Sequence, residues 1–146
     1  MDKTQLVITV KTRLTEKIKH LELLISQTRE ANTETKSSMG DKYETSREMV
    51  EQEIRNLQRQ LNETQIQQTA VKKLLPSESS ASDFGALVET GAGHFYIATA
   101  VGEIHMDDRK IMTVSTESPL AKALHGKKKG ESFTLNGITH TVKNIY

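Results

Sequence analysis

The chain has 146 residues, enough for one ordinary domain or for an elongated element joined to a small one. Its 20 basic and 19 acidic residues nearly cancel, so overall charge does not point to nucleic acid. Hydrophobic content is 35%, low for a compact globule of this size and in keeping with a rod-like part that buries only a seam. With no cysteine, a disulfide framework and a thiolate metal site are both excluded. No apolar run reaches about 18 residues and no signal-peptide pattern opens the chain, so a soluble, cytoplasmic protein that does not engage a membrane is expected.

Composition changes near Pro76. Before it stand one glycine, Gly40, and one aromatic, Tyr43; from it onward come seven glycines, both prolines and five aromatics. Residues 1–75 are expected to form an antiparallel α-helical coiled-coil hairpin. In the first arm Val10, Leu14, Ile18, Leu21, Leu24 and Ile25 make an apolar stripe, which decays through Thr28 and Ala31 to Thr35. In the second arm Val50, Ile54, Leu57, Leu61, Thr64, Gln68, Val71 and Leu75 keep 4-3 spacing, the pattern of a coiled-coil seam. Gly40 lies midway and can take positive φ to reverse the chain, and Asp41 can cap the second helix. The competing arrangement is one long helix that dimerises. The central glycine and the weak apical seam favour the hairpin, and with it a monomer.

The expected tip, residues 37–48, carries acids. Asp41, Glu44 and Glu48 are three and four apart, hence on one helical face. Two such carboxylates can share a hard cation such as Mg²⁺ if a partner supplies the remaining ligands. The bland alternative is a solvated face whose acids suit the positive end of the helix dipole. Tyr43, an aromatic far from any core, suggests contact with a partner; otherwise it covers its own loop.

Residues 76–83, Pro-Ser-Glu-Ser-Ser-Ala-Ser-Asp, read as a linker. Residues 84–146 then read as short strands around one helix. Leu87–Thr90, His94–Val101 and Lys110–Val114 are β-like, with Phe95, Ile97, Thr99 and Val101 on one face of the second. Ser118-Pro119 is a helix start, with serine as N-cap and proline at the first position. Leu120 and Leu124 are expected to face the core, and Gly126 to end the helix. Asn136-Gly137 between two β-like runs is the sequence of a type I′ hairpin. The fold class is therefore α+β.

Little else carries chemistry. The five histidines form no ligand-spaced pair. His105 with Asp107 and Asp108 reads as an exposed turn before it reads as a metal site. Lys127, Lys128 and Lys129 lie between Gly126 and Gly130, in what reads first as a solvated turn and second as a contact for acidic protein or phosphate. Phosphate loops, nucleophile elbows and zinc motifs are missing from the sequence.

The stretch Ser118-Pro119-Leu120-Ala121-Lys122-Ala123-Leu124-His125-Gly126-Lys127, followed by Gly130-Glu131 and a closing hairpin to Tyr146, closely resembles the C-terminal domain of the bacterial transcript cleavage factors GreA and GreB. Phe84-Gly85-Ala86 resembles the start of that domain. The resemblance implies a coiled-coil hairpin joined to an FKBP-like β domain and covers nearly the whole chain. It also implies a partner, RNA polymerase. The β domain would dock at the mouth of the secondary channel through Ser118, Pro119 and Lys127, with Tyr43 a further partner-binding residue. The hairpin would enter the channel and set two tip acids beside the active-site Mg²⁺, so that the polymerase hydrolyses its own backtracked RNA. About 30 helical residues at roughly 1.5 Å each give the needed reach of roughly 45 Å.

Gly40-Asp41-Lys42-Tyr43-Glu44 matches the family's tip motif Gly-Asp-x-x-Glu, which carries the two acids to Asp41 and Glu44. Thr45-Ser46-Arg47 then departs from the family's Asn-Ala-Glu-Tyr. In a second alignment Tyr43 and Arg47 match the Tyr and Arg beyond the family's tip, and Glu44 has no catalytic counterpart. The expectation is an accessory factor and no enzyme. It would hold no cofactor alone, share Mg²⁺ only with the polymerase, and reach the nascent RNA 3′ end indirectly. The alternatives are a channel-binding regulator without cleavage, a coiled-coil adaptor, and an FKBP-type isomerase, for which the aromatics are few.

Overall fold

A computed structural model describes the backbone of residues 2–34 and 41–146, with side chains from 2–31 and 46–146. Two helices come first, α1 (Thr4–Glu34) and α2 (Asp41–Val71). Six strands and a short helix follow: β1 (Leu87–Thr90), β2 (Gly93–Ala98), β3 (Glu103–Met106), β4 (Arg109–Ser115), α3 (Pro119–Leu124), β5 (Ser132–Leu135) and β6 (Ile138–Ile145). The α+β class holds. Gly40 and the expected reversal around it lie outside the described residues.

The chain divides into two compact units, Leu14–Thr69 and, together, Met1–Arg13 with Ala70–Tyr146. Composition had set the boundary at Pro76, but the first turns of α1 belong with the sheet.

In the helical unit, Leu21, Ile25 and Leu57 form a buried cluster, joined by Leu24, Ile54 and Leu61. Nearer the start of α1, Gln68 Nε2 donates to Thr15 Oγ1 at 3.3 Å. Contacts therefore run from 15 with 68 to 25 with 57, which makes the two helices antiparallel. Thr64 is buried and its hydroxyl donates to the carbonyl of Gln60 at 2.7 Å, so this polar seam residue satisfies itself within its own helix. The 4-3 pattern outruns the helix at its end. Because α2 stops at Val71, Leu75 is 66% exposed, and Leu74 is the buried residue instead.

In the second unit the strands form one sheet in the order β3-β4-β2-β1-β6-β5. β2 and β4 run parallel, and the other neighbours are antiparallel. The expected strand His94–Val101 stops at Ala98, and Val101 instead leads into β3, a strand the sequence did not announce. One sheet face packs on α3 through Ala86, Val88, Ile97, Ala121, Leu124, Phe133 and Val142. Leu120 is partly buried against this cluster while Ala121 and Leu124 are its buried helical members.

The other face carries Leu87, Tyr96, Ile111 and Thr113, all buried, where simple alternation would have left Tyr96, between Phe95 and Ile97, and its cross-strand partners Leu87 and Thr113 to solvent. Within this unit the buried apolar residues outside the sheet and α3, apart from Ala86 on the α3 side, are Leu6, Val7, Val10, Val71 and Leu74. They supply the cover that this face needs. Two cations fix the helix there. Lys3 Nζ donates to Gly85 O at 2.7 Å, Tyr146 O at 2.8 Å and Ser79 Oγ at 3.3 Å. Arg13 Nη1 donates to Glu103 O at 2.6 Å and Val101 O at 3.0 Å. The two anchors are about 15 Å apart along the helix. Their acceptors lie at β1 and β3, three strand spacings or about 14 Å apart. The first turns of α1 thus cross the sheet from one anchor to the other.

Candidate functional site

Of the residues singled out in the sequence, Ser118, Pro119 and Lys127 are fully described, and the fold brings them to the two ends of one short helix. Ser118 is the N-cap of α3 in an extended conformation, φ −66° and ψ 150°. Its hydroxyl accepts from Ala121 N at 3.1 Å and donates to Ser115 O at 2.8 Å, so it closes the β4–α3 turn and starts the helix together. Pro119 occupies the first turn, where a missing N–H costs nothing, and is exposed. Leu124 and Ala121 bury the opposite side of the helix, leaving Pro119 and Lys122 outward. Six helical residues span about 9 Å.

After α3 the chain turns through Gly126, φ +73°, into Lys127–Lys129 and Gly130, φ +89°. Lys127 is half-buried, and Lys128 and Lys129 are exposed. Lys127 N donates to Leu124 O at 2.8 Å, and Gly130 N to Val142 O at 2.8 Å, which ties the turn to both the helix and β6. Lys122 Nζ lies 3.9 Å from Glu117 on the surface, a contact of little energetic weight. The result is an outward ridge, Ser118-Pro119 at one end and three lysines at the other, suited to an acidic protein surface.

The segment expected to be a linker is fastened to this ridge without being part of it. Residues 76–83 have no regular structure, yet Ser82 is buried and its N–H donates to Lys127 O at 2.8 Å. Asp83 Oδ1 accepts from Gly126 N at 3.3 Å and lies 3.2 Å from His125 Nδ1. Small polar composition signalled the lack of secondary structure, but nothing in the sequence showed that this stretch would be fastened to a turn over 40 residues away.

The other candidates separate. Asp41 and Glu44 lie in the first turn of α2, with Tyr43 between them, and Glu48 follows one turn on. The side chains of Asp41, Tyr43 and Glu44 lie outside the described residues. Arg47 is paired with Glu51 at 3.7 Å on the helix surface. Asp107 and Asp108, φ 51° and 61°, form the tight turn between β3 and β4. Among the described residues, no group of three His, Asp or Glu side chains could hold a metal ion. Glu89 accepts from Asn144 Nδ2 at 3.0 Å, and this hydrogen bond holds its carboxyl below the usual range. His94 is 3.9 Å from Glu89, and this pair spans β1 and β2 away from the ridge. Between the sheet and α3 pack Val88, Ile97, Leu124, Phe133 and Val142, of which Phe133 is aromatic. Among the described residues no helix is long and apolar enough to cross a membrane.

By fold, then, the chain is an α+β protein with two antiparallel helices preceding a six-stranded sheet. No family model matches it, and no curated protein does. Among solved structures it is similar to GreA factor homolog 1 (Gfh1) of Thermus thermophilus, with 16% identity, 93% of this chain and 94% of that one covered, and a TM-score of 0.39. A second structure, of the transcription factor Gfh1, gives 17% identity over 93% and 92% of the two chains, also with a TM-score of 0.39. A likeness of that degree leaves function to the chain's own residues.

Proposed function

We propose that this chain is a Gre-like transcription factor that binds RNA polymerase through the ridge on its FKBP-like sheet unit and presents the start of α2 to the polymerase active site. The observation that carries the reading is the Ser118-Pro119 helix start with its Gly126–Gly130 lysine turn. This is the most specific stretch of the family resemblance, and both ends of it face outward. Such a factor has no hydrolytic activity of its own. Asp41 and Glu44 would contribute two carboxylates to a second Mg²⁺ held jointly with the polymerase, and that ion would orient water for cleavage of backtracked RNA.

The test is a stalled, backtracked elongation complex incubated with the protein and Mg²⁺, followed by sizing of the RNA. Stimulated cleavage is expected. Asp41→Asn and Glu44→Gln each keep shape and remove one anionic ligand, so each should abolish most of it while polymerase binding persists. Raised Mg²⁺ should restore part of the activity by mass action. Glu48→Gln, one turn on, should matter less. If Glu44→Gln cleaves like the wild type, the alignment that pairs Tyr43 and Arg47 with the family's later Tyr and Arg is preferred; if the wild type competes for the channel without stimulating cleavage, the protein is a channel-binding regulator.

A further inference from the structure

Three lysines in succession repel one another, and a turn bounded by two glycines has few conformational restraints of its own. The Gly126–Gly130 turn nevertheless has a defined path, for which the hydrogen bonds account. Its far end is closed locally, by Glu131 N donating to Lys128 O at 3.0 Å and Lys128 N to Glu131 Oε1 at 3.3 Å, and is tied to β6 by Gly130 N donating to Val142 O. Its near end is held from outside. Ser82 N donates to Lys127 O, and the Asp83 carboxylate receives Gly126 N and faces His125.

That outside segment is itself anchored to the sheet. Ala86 N donates to Asp83 O at 2.9 Å, and Gly85 N to Ile97 O at 2.7 Å, on β2. The peptide unit of Lys127 is therefore fixed on both sides, by Leu124 O at its nitrogen and Ser82 N at its oxygen. Neither Ser82 nor Asp83 belongs to the ridge that would meet a partner, but both set where its lysines start.

We propose that Ser82 and Asp83 are positioning residues for the partner-binding ridge: the strap before β1 latches the Gly126–Gly130 turn, so that Lys127 is held in its binding position before a partner arrives. The inference rests on the docking reading given above. Its physical content is preorganisation, because an ordered turn need not lose conformational freedom on binding.

The experiment uses the full chain and three variants: Asp83→Ala, Asp83→Asn and Pro119→Glu. Asp83→Ala removes the acceptor of Gly126 N–H. Amide exchange at Gly126 should accelerate about five-fold and affinity for RNA polymerase fall about five-fold, as the loss of one net hydrogen bond implies. The melting temperature should fall by no more than a few degrees, the size of one hydrogen bond at a side chain that is 52% exposed and outside the core. Asp83→Asn keeps an oxygen at the same place and should restore both readouts. Faster exchange without weaker binding, while Pro119→Glu does weaken it, overturns the positioning role and leaves docking intact. Unchanged exchange in Asp83→Ala overturns the latch itself. Equal loss of affinity in the alanine and asparagine variants makes Asp83 a direct charge contact and again overturns the latch. Unchanged affinity in Pro119→Glu removes the docking surface, and the positioning role falls with it.

Discussion

In the sheet unit Val88, Leu87, Ile111, Leu124 and Val142 are wholly shut off from solvent, on both faces of one sheet. In the helical unit the mid-hairpin cluster buries Leu21, Ile25 and Leu57, and its other members, Leu24, Ile54 and Leu61, are only partly covered. Polar groups differ in the same sense. The sheet unit's Lys3 reaches three oxygens, up to 143 residues away. The seam's Thr64 turns back on its own helix, and Gln68 makes one cross-helix bond at 3.3 Å. A two-helix seam has one side to bury and gains specificity mostly from spacing. A sheet covered on both faces gains it from groups that meet at one point only.

The largest expected effect tests that contrast. Leu124→Ala should cost about 3–5 kcal/mol, because a side chain sealed between sheet and helix leaves a cavity that rigid strands cannot close. Leu57→Ala should cost about 2–3 kcal/mol, since a two-helix seam can close up around the loss. Denaturant unfolding separates the two. Far-UV circular dichroism reports mainly the helices, and tyrosine fluorescence mainly the sheet unit, which holds Tyr96 and Tyr146. Equal costs would mean that the seam is packed as tightly as the sheet.

The second effect concerns the anchors. Lys3→Met keeps the apolar stem and deletes the ammonium, leaving Gly85 O and Tyr146 O without that donor. The expected loss is about 1–3 kcal/mol. Burial also pushes the Lys3 ammonium below its ordinary value of 10.5. Between the lowered value and 10.5 the unfolded chain therefore binds more protons, and this group's contribution makes stability rise with pH there. Lys3→Met should remove that rise, and a rise that persists in the variant would assign it to another group.

Tyr96 should act in the opposite direction. Burial pushes its phenol from 10.0 up to about 12. The neutral form is favoured in the folded state, so its contribution is full below pH 10 and is lost as pH climbs through about 12. Among the described residues its hydroxyl is one of two buried side-chain oxygens, with Ser82 Oγ, that have no hydrogen-bond partner. Tyr96→Phe should accordingly raise stability by about 1 kcal/mol and abolish the alkaline loss. Tyrosinate absorbance checks the first claim directly: the late-ionising step should vanish in Tyr96→Phe. A destabilised Tyr96→Phe would show that the hydroxyl has a partner after all.

What could be read from the sequence follows the same division. The helices, their buried stripe from Val10 to Ile25, the Ser118 cap and the Asn136-Gly137 turn, φ 53° and 77°, are all local signals, and each shows in the structure. Periodicity failed where long-range contacts decide. It carried α2 on to Leu75, and it assigned one buried face to β2, whose Tyr96 is buried on the other because the sheet is covered twice. Of the candidate site, Ser118, Pro119 and Lys127 were legible as a motif. The strap that holds Lys127, and the charges of Lys3 and Arg13 that anchor α1, were not, because their acceptors are main-chain groups about 45 to over 140 residues away. The tip acids Asp41 and Glu44 rest on the motif alone.

The smallest effect lies at the edge of the sheet, where a short-range signal was present but weak. β3 and β4 are joined by Asp107-Asp108 alone, between the paired residues Met106 and Arg109. Both aspartates have positive φ, 51° and 61°, the left-handed conformation that a two-residue type I′ turn requires. Asparagine followed by glycine suits those positions best, as at Asn136-Gly137 in the same sheet. Aspartate tolerates them less well, and here two carboxylates also stand side by side. Asp-Asp is for that reason a poor hairpin signal, and β3 went unforeseen. Replacing the pair by Asn-Gly should stabilise the unit by about 0.5–1 kcal/mol, chiefly by relieving the left-handed strain at the second position. Asp108→Val, a β-branched residue at positive φ, should cost about 1–2 kcal/mol. Thermal melts of the two variants, each compared with the parent, should therefore move in opposite directions. If Asn-Gly lowers the melting temperature instead, the aspartate carboxylates hold the turn through interactions of their own, and the edge strand owes its place to charge and not to backbone geometry.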